Sequence, residues 1–208
     1  MVSVGVVVDL CSSIGAAIQP YCDDIVSALR ESLMDASVSR DIKPVVISCF
    51  GDVAMAIGKA YEPYLQVSVM MLMQAAQQSA PPDDEDLIIF INQLRLSILE
   101  AYSGIIMGLS DGGALDLIVS YVPAIVQFLQ ALSTEESNRD DEVLTKAVAL
   151  IGDIAQQMGR SYPQVRQQIN QSFIIQLVQA ASTSDYPEAR EVASWTRSIV
   201  EQALQQGS

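Results

Sequence analysis

Any chemistry in this chain has to be done without histidine. None of the 208 residues is His, which excludes a Ser-His-Asp or Cys-His nucleophile and any His-ligated metal site. The reactive side chains that remain are carboxylates and three thiols. Cys11, Cys22 and Cys49 are odd in number and widely spaced, which reads as reduced, buried thiols of an intracellular protein and not as a disulfide framework or zinc site. Paired carboxylates could serve acid–base work or calcium, but there is no D-x-D-x-D-G loop and no nucleophile or base converging on them. The residue types therefore predict no enzyme, no metal and no cofactor.

Binding is the chemistry left to the carboxylates. Asp+Glu number 25 against 11 Lys+Arg, a formal net charge of −14. That charge repels a phosphate backbone, so no nucleic acid is expected, and it attracts basic polypeptide segments. A basic helix rich in Arg and Lys needs acidic acceptors along a groove, and fork-like pairing would orient its arginines. The candidate acceptors are Asp23, Asp24 and Glu31 on the polar side of a predicted helix, and Glu135, Glu136, Asp140 and Asp141 in a loop around Arg139. Trp195, the single tryptophan, is a candidate for stacking on an arginine or a lysine stem.

Each candidate also has a structural reading. Asp23 and Asp24 would complement a helix dipole from its first turn. The loop acids would be a solvated run that includes an N-cap, and the run Asp83-Asp-Glu-Asp86 fits capping better than binding. Trp195 shares a helical stripe with Val192, Ile199 and Ala203 and would seal the last helix onto the core. Met70-Met-Leu-Met73 reads as a buried helix face, or as an adaptable surface.

The acidity is regional. Residues 1–82 carry 8 acids and 4 bases, residues 83–142 carry 12 and 2, and residues 143–208 carry 5 of each. A localised partner surface explains that distribution better than general solubility. The longest unbroken apolar runs, such as Val69–Met73 and Leu87–Ile91, fall short of the ~20 residues of a membrane span, and no basic segment follows Met1 to open a secretory signal. No membrane association is expected.

The elements that must position these residues are helices. Tyr21, Ile25, Leu29 and Leu33 stand four apart, and Leu94, Ile98 and Ile105 lie in a second apolar sector across 87–109. Gly and Pro punctuate at Gly58…Pro63, Pro81-Pro82, Gly112-Gly113 and Gly159…Pro163. Helix starts are signed by Asp41 before Pro44, by Asp83, and by Asp185 with Glu188 at capping-box spacing. A strand at Val4–Asp9 leading to a nucleotide loop at Gly15 is the rival reading, but no G-x-G-x-x-G or Walker lysine motif follows it.

Self-similarity organises the whole. Asp9-Leu-Cys-Ser-Ser-Ile-Gly15, Asp52-Val-Ala-Met-Ala-Ile-Gly58 and Asp153-Ile-Ala-Gln-Gln-Met-Gly159 share a frame that Tyr102-Ser-Gly-Ile-Ile-Met-Gly108 fits with Tyr for Asp. Proline follows at Pro20, Pro63 and Pro163, and only at Pro123 in the third unit. The pattern predicts a helix ending on a left-handed Gly cap, a short turn, and Pro opening the next helix. Periods of ~40–50 residues are those of HEAT or armadillo pairs, which stack because one pair cannot bury its apolar face alone. The expected fold is an all-α solenoid, a fragment of a longer array. It is divided as repeats 1–35, 36–80, 83–133 and 138–182 with a terminal helix over 186–206.

The stretch Asp41-Ile-Lys-Pro-Val-Val-Ile-Ser-Cys-Phe-Gly-Asp-Val-Ala-Met-Ala-Ile-Gly58 resembles the carboxy-terminal HEAT repeats of the importin-β family of nuclear import receptors. So do Pro20-Tyr-Cys-Asp-Asp24, Leu99-Glu-Ala-Tyr-Ser-Gly-Ile-Ile-Met-Gly-Leu109, Leu150-Ile-Gly-Asp-Ile154 and the terminal Ala193-Ser-Trp195. The resemblance implies a superhelical array that binds the basic segment of importin-α-type adaptors on an acidic concave surface. It also implies cargo carriage through nuclear pores and shuttling between cytoplasm and nucleus. Phe-Gly nucleoporins would insert between outer helices, and Ran-GTP would act mainly on repeats outside this piece. A monomer is expected, and a generic HEAT scaffold or regulatory subunit is the alternative.

Overall fold

The computed structural model describes residues 4–135 and 139–205, and every regular element among them is helical. The chain divides into two compact units, Met1–Leu117 and Ile118–Ser208. The boundary falls inside the expected third repeat.

The first unit holds α1 (Val4–Ile14), α2 (Cys22–Met34), α3 (Lys43–Ile57), α4 (Glu62–Ala76) and α5 (Glu85–Asp111). Helices α1, α2 and α5 all pack on α3, whose Val46, Ile47, Cys49, Phe50, Val53 and Ala54 are sealed from solvent. The spacing of these residues leaves α3 apolar nearly all round, as a central helix must be. Helix α5, ~40 Å long at 1.5 Å per residue, starts on Asp84, whose carboxylate accepts the Leu87 N–H at 2.9 Å. The cap is thus one residue later than Asp83.

The α3–α5 crossing explains several glycines. Gly104, Gly108 and Gly112 stand at i, i+4 and i+8 along one ridge that runs just past the end of α5. A Cβ on Gly104 would meet Gly51, one on Gly108 would meet the Ala54 carbonyl, and one on Gly112 the Lys59 N–H. Backbones in van der Waals contact leave no room for any side chain there. The shared sequence frame therefore ends in glycine for two different reasons. Gly15 and Gly58 adopt φ of 51° and 56° and turn the chain, as expected. Gly108 lies inside α5 and Gly159 closes α8 (Asp141–Met158) at φ −59°, so both are helical and both serve packing. The left-handed turn after α5 falls to Gly113, φ 64°.

The helical stretch Gly5–Met34 reaches mean hydropathy 1.2 over an 18-residue window, enough by length and composition to cross a membrane. This corrects the expectation drawn from unbroken runs, because a window mean tolerates interruptions such as Asp9. The stretch is not one straight rod. Gly15 at positive φ opens a 3₁₀ turn, Gly15–Tyr21, with Pro20 inside it. Cys11, Ile18, Cys22, Val26 and Leu29 are buried in the unit.

The second unit contains α7 (Val122–Thr134), α8, α9 (Pro163–Ile169), α10 (Ser172–Ser182) and α11 (Pro187–Gln205); the short α6 (Asp116–Val119) spans the boundary. Prolines open α7, α9 and α11, where a missing N–H costs nothing. Helix α11 lies on α8: the Trp195 ring covers Gly152, Ala203 covers Gly159, and the Thr196 hydroxyl donates to the Val148 carbonyl at 2.9 Å. Ahead of α11, which starts at Pro187, the Ser184 Oγ accepts the Tyr186 N–H at 3.0 Å, a turn contact just before the helix.

Candidate partner interface

Helix α2 turns Cys22, Val26 and Leu29 inward, and this places Asp23, Asp24, Ser27 and Glu31 in solvent. Asp24 and Glu31 are seven residues apart and so share a face. Asp23 is held in place: the Tyr64 hydroxyl on α4 donates to its Oδ1 at 2.6 Å. Donating that proton to Asp23 makes Tyr64 reluctant to ionise, and its phenol is pushed up to about 12 by the hydrogen bond first, then by burial and the carboxylate charge.

In the second unit the acids are more constrained. Asp140 is the N-cap of α8, its Oδ1 accepting the Val143 N–H at 2.8 Å. Asp141 accepts from the Ser184 hydroxyl at 3.0 Å, which ties the start of α8 to the turn between α10 and α11. Glu135 is half-buried at the end of α7, and Glu136 lies outside the described residues. Trp195 is half-buried with its ring on Gly152, 11 residues or roughly 16 Å along α8 from Asp141. Asp23, Asp24 and Glu31 thus form one group on α2. Asp140, Asp141 and Trp195 belong to the other unit, where all three already have structural work.

Four of the eleven basic side chains are directed to backbone carbonyls. Lys43 donates to the Leu33 carbonyl, Arg139 to Leu132, Arg166 to Gly159 and Arg160, and Arg190 to Ser184. Cations at carbonyl-rich helix ends offset the helix dipole. Among the described residues Asp23, Asp24, Glu31, Asp140 and Asp141 all stand exposed without a Lys or Arg partner.

A further pair of carboxylates meets between α3 and α5. Burial, and then the nearby charge of Glu100, push the Asp52 carboxyl above its ordinary range. Asp52 in turn raises two thiols that burial has already raised: Cys11 to about 11 and Cys49 to about 12. Thiols so far from ionising are poor nucleophiles.

Tyr64 was not among the residues singled out from sequence. The repeat does mark it: Pro20-Tyr21 and Pro63-Tyr64 are the same dipeptide one 43-residue period apart. That its hydroxyl reaches Asp23 across 41 residues is visible only in the fold.

Residues 1–182 match the family model described as importin subunit beta-1-like, TPR repeats. Importin subunit beta-1 of Arabidopsis thaliana is 34% identical over 205 residues, covering 98% of this chain and 23% of that protein. The Schizosaccharomyces pombe importin subunit beta-1 is 32% identical over 205 residues, covering 97% and 23%. Importin beta crystallised in a polyethylene glycol condition superposes with a TM-score of 0.87 at 28% identity, over 97% of this chain and 24% of that one. A structure in which Kap95p binding switches the loops of RanGDP to the GTP-bound conformation gives 0.85 at 25% identity, and a Kap95:Nup1 complex gives 0.82 at 25%, each covering 97% of this chain and 23% of that one. The chain spans less than a quarter of the length of these relatives. The family match covers residues 1–182 and stops short of the helix carrying Trp195; it supports a fragment of the family and not the expected carboxy-terminal placement. The fold is that of an all-α solenoid fragment, and the chain belongs to the importin subunit beta-1-like family.

Proposed function

We propose that this chain is a binding segment of a nuclear import receptor, not an enzyme, and that it takes the basic segment of an importin-α-type adaptor. The observation that supports this is the exposed carboxylates with no cation among the described residues against them: Asp23, Asp24 and Glu31 on α2, and, in the second unit, Asp140 and Asp141 at the start of α8. Carboxylates with no Lys or Arg against them are open to an external cation, and arginine forks match them in geometry. Glu135, Glu136 and Trp195 are proposed contacts of the second unit, beside Asp140 and Asp141. The division into four helix pairs and a terminal helix belongs to the same reading, as does shuttling between cytoplasm and nucleus.

Relatives in this family have been solved with RanGDP and with Nup1. By that likeness, Ran and Phe-Gly nucleoporins are further partners proposed for the longer protein of which such a segment is part.

Calorimetric titration of a synthetic Arg/Lys-rich adaptor segment tests the reading, beside a scrambled peptide of equal charge. Binding should be micromolar or tighter at low salt, should weaken steeply as salt rises, and should favour the native order. No heat of binding at low salt overturns the proposal. Equal binding of the scrambled peptide would leave a non-selective acidic scaffold in its place.

A further inference from the structure

The end of α10 and the side of α11 are joined through one arginine. Ser182 is the last residue of α10, and its Oγ accepts from the Arg197 Nη2 at 2.9 Å while donating to the Val178 carbonyl at 2.7 Å. Arg197 makes no ion pair among the described residues; the neutral hydroxyl is its one hydrogen-bond partner. A guanidinium presents a fork that fits two anionic oxygens, whereas a hydroxyl offers one uncharged acceptor. Arg197 is therefore matched to an anion at the place where the Ser182 oxygen stands. Arg190, seven residues earlier and so on the same face of α11, reaches the same segment by donating to the Ser184 carbonyl at 2.7 Å. These contacts lie inside one helix pair and do not depend on which helices flank it.

The sequence around that hydroxyl suits a modifying enzyme. Ser182-Thr-Ser-Asp185 places a carboxylate three residues after the serine, a charge pattern that acid-directed protein kinases read. Ser32, Ser97, Ser133 and Ser198 have an acid at the same spacing, but among the described residues none of them accepts from an arginine. A kinase takes its substrate extended, so the last turn of α10 has to open. That turn is weakly closed. The Thr183 N–H is shared between the Gln179 and Ala180 carbonyls at 3.2 Å each, and the Ser184 N–H reaches Ala181 at 3.3 Å. A well-made bond of this kind is about 2.9–3.0 Å, and such helix ends open locally at little cost. Thr183, Asp185 and Tyr186 beyond it are exposed.

We propose that Ser182 is a phosphorylation site for an acid-directed kinase and that Arg197 receives the phosphate. The Ser182 oxygen attacks the γ-phosphorus of ATP, and the bond from that phosphorus to the β–γ bridging oxygen breaks. ADP leaves, and the hydroxyl proton passes to the base of the kinase. The product carries a charge of about −1.5 to −2 and three acceptor oxygens, beside the guanidinium that held the hydroxyl. Two effects then oppose each other. The phosphate stands at the carbonyl end of α10, where the helix dipole disfavours an anion, and the Val178 carbonyl loses its hydroxyl donor. Asp185 adds a like charge three residues away. Against this, the Arg197 fork replaces one neutral hydrogen bond by two charge-assisted ones that cross from α10 to α11. Phosphate therefore fastens α10 to α11 when Arg197 is present and loosens the end of α10 when it is not. This is independent of adaptor binding.

Treatment of the 208-residue chain with casein kinase II and MgATP tests it. Peptide mapping by mass spectrometry should place phosphate on Ser182. The melting temperature should rise by about 2–4 °C on phosphorylation. That rise should be absent from Ser182→Ala treated in the same way, which carries any phosphate taken up at Ser133 or Ser137. Arg197 is exposed, so its variants should fold, and each is compared with its own unmodified form. In Arg197→Gln phosphorylation should lower the melting temperature instead. Arg197→Lys should recover part of the rise, since an ammonium keeps the charge without the fork. Absence of phosphate from Ser182 overturns the proposal, whether Thr183 or Ser184 is modified in its place or nothing is. So does a parent whose melting temperature fails to rise, or a rise in Arg197→Gln equal to the parent's.

Discussion

Gly104 rests on Gly51 so closely that a Cβ at position 104 would stand 2.8 Å from the Gly51 Cα. Two helices therefore touch by their backbones where neither can carry a side chain. The atoms obstructing that Cβ are main-chain atoms of a central helix, which cannot move aside as a flexible side chain would.

Replacing Gly104 by Ala consequently has the opposite sign from helix propensity. Propensity alone credits Ala with about 1 kcal/mol over Gly inside a helix. The overpacking opposes it by typically 1–3 kcal/mol and occasionally more. Gly104→Ala should lower the urea midpoint with little change in slope, and Gly108→Ala should do so more severely, since its Cβ would enter the Ala54 carbonyl. A midpoint equal to or above the parent's would mean that α3 and α5 are further apart than described.

Asp52 should make the protein less stable as pH rises. Burial and the neighbouring Glu100 raise its folded-state pKa above the unfolded value. The folded chain then holds the Asp52 proton through a window just above the ordinary carboxylate range, where the unfolded chain has already lost it. The destabilisation is absent below that window and complete above it. Asp52→Asn should melt about 1–3 °C higher at neutral pH. That advantage should shrink as pH falls through the carboxylate range. An advantage that persists unchanged in acid would assign it to something other than ionisation.

Two buried tyrosines should respond oppositely to loss of their hydroxyls. Tyr61 Oη sits 2.6 Å from Ser68 Oγ, both side chains fully buried. Tyr102 is equally enclosed, but its Oη has no hydrogen-bond partner among the described residues. Tyr61→Phe should cost roughly 1 kcal/mol, whereas Tyr102→Phe removes an uncompensated polar atom and should be neutral or stabilising by up to about 1 kcal/mol. Guanidinium denaturation of the two variants side by side decides this.

How far the sequence carried can be judged at these same residues. The repeat frame located Gly15 and Gly58 and the turns they make, because a positive φ is a local demand that a single residue type meets. It could not separate them from Gly108 and Gly159, whose glycine is required by a helix some fifty residues away in the chain. Placing Tyr102 where the other repeats carry Asp flagged an irregularity without revealing that its hydroxyl is orphaned. The exposed acids of α2 were legible from periodicity alone. The roles of Asp140 and Asp141 were half legible: capping follows from local spacing, while the Ser184 contact spans 43 residues. Most opaque was Tyr64, since a hydrogen bond between α2 and α4 depends on how the helices pack and not on either segment.

That last contact yields the sharpest test of the proposed interface. Tyr64 fixes one oxygen of Asp23 at 2.6 Å, which orients the carboxylate and leaves the other oxygen for an incoming guanidinium. Tyr64→Phe keeps the ring and removes only the donor. It should weaken an Arg-rich segment several-fold while a lysine-substituted segment, which needs no fixed fork, changes less. Asp23→Asn should weaken both. A readout without any ligand accompanies it. The Tyr64 phenol, held up to about 12 in the fold against an ordinary value of about 10, contributes stability that is complete below the unfolded pKa and lost as pH rises toward 12. Asp23→Asn should therefore be less stable than the parent at neutral pH, and the gap should close in alkali. If the gap closes as described but neither variant alters binding, the hydrogen bond is structural and the interface lies elsewhere. If binding falls equally for Arg and Lys segments in Tyr64→Phe, the tyrosine supports the surface without selecting the fork.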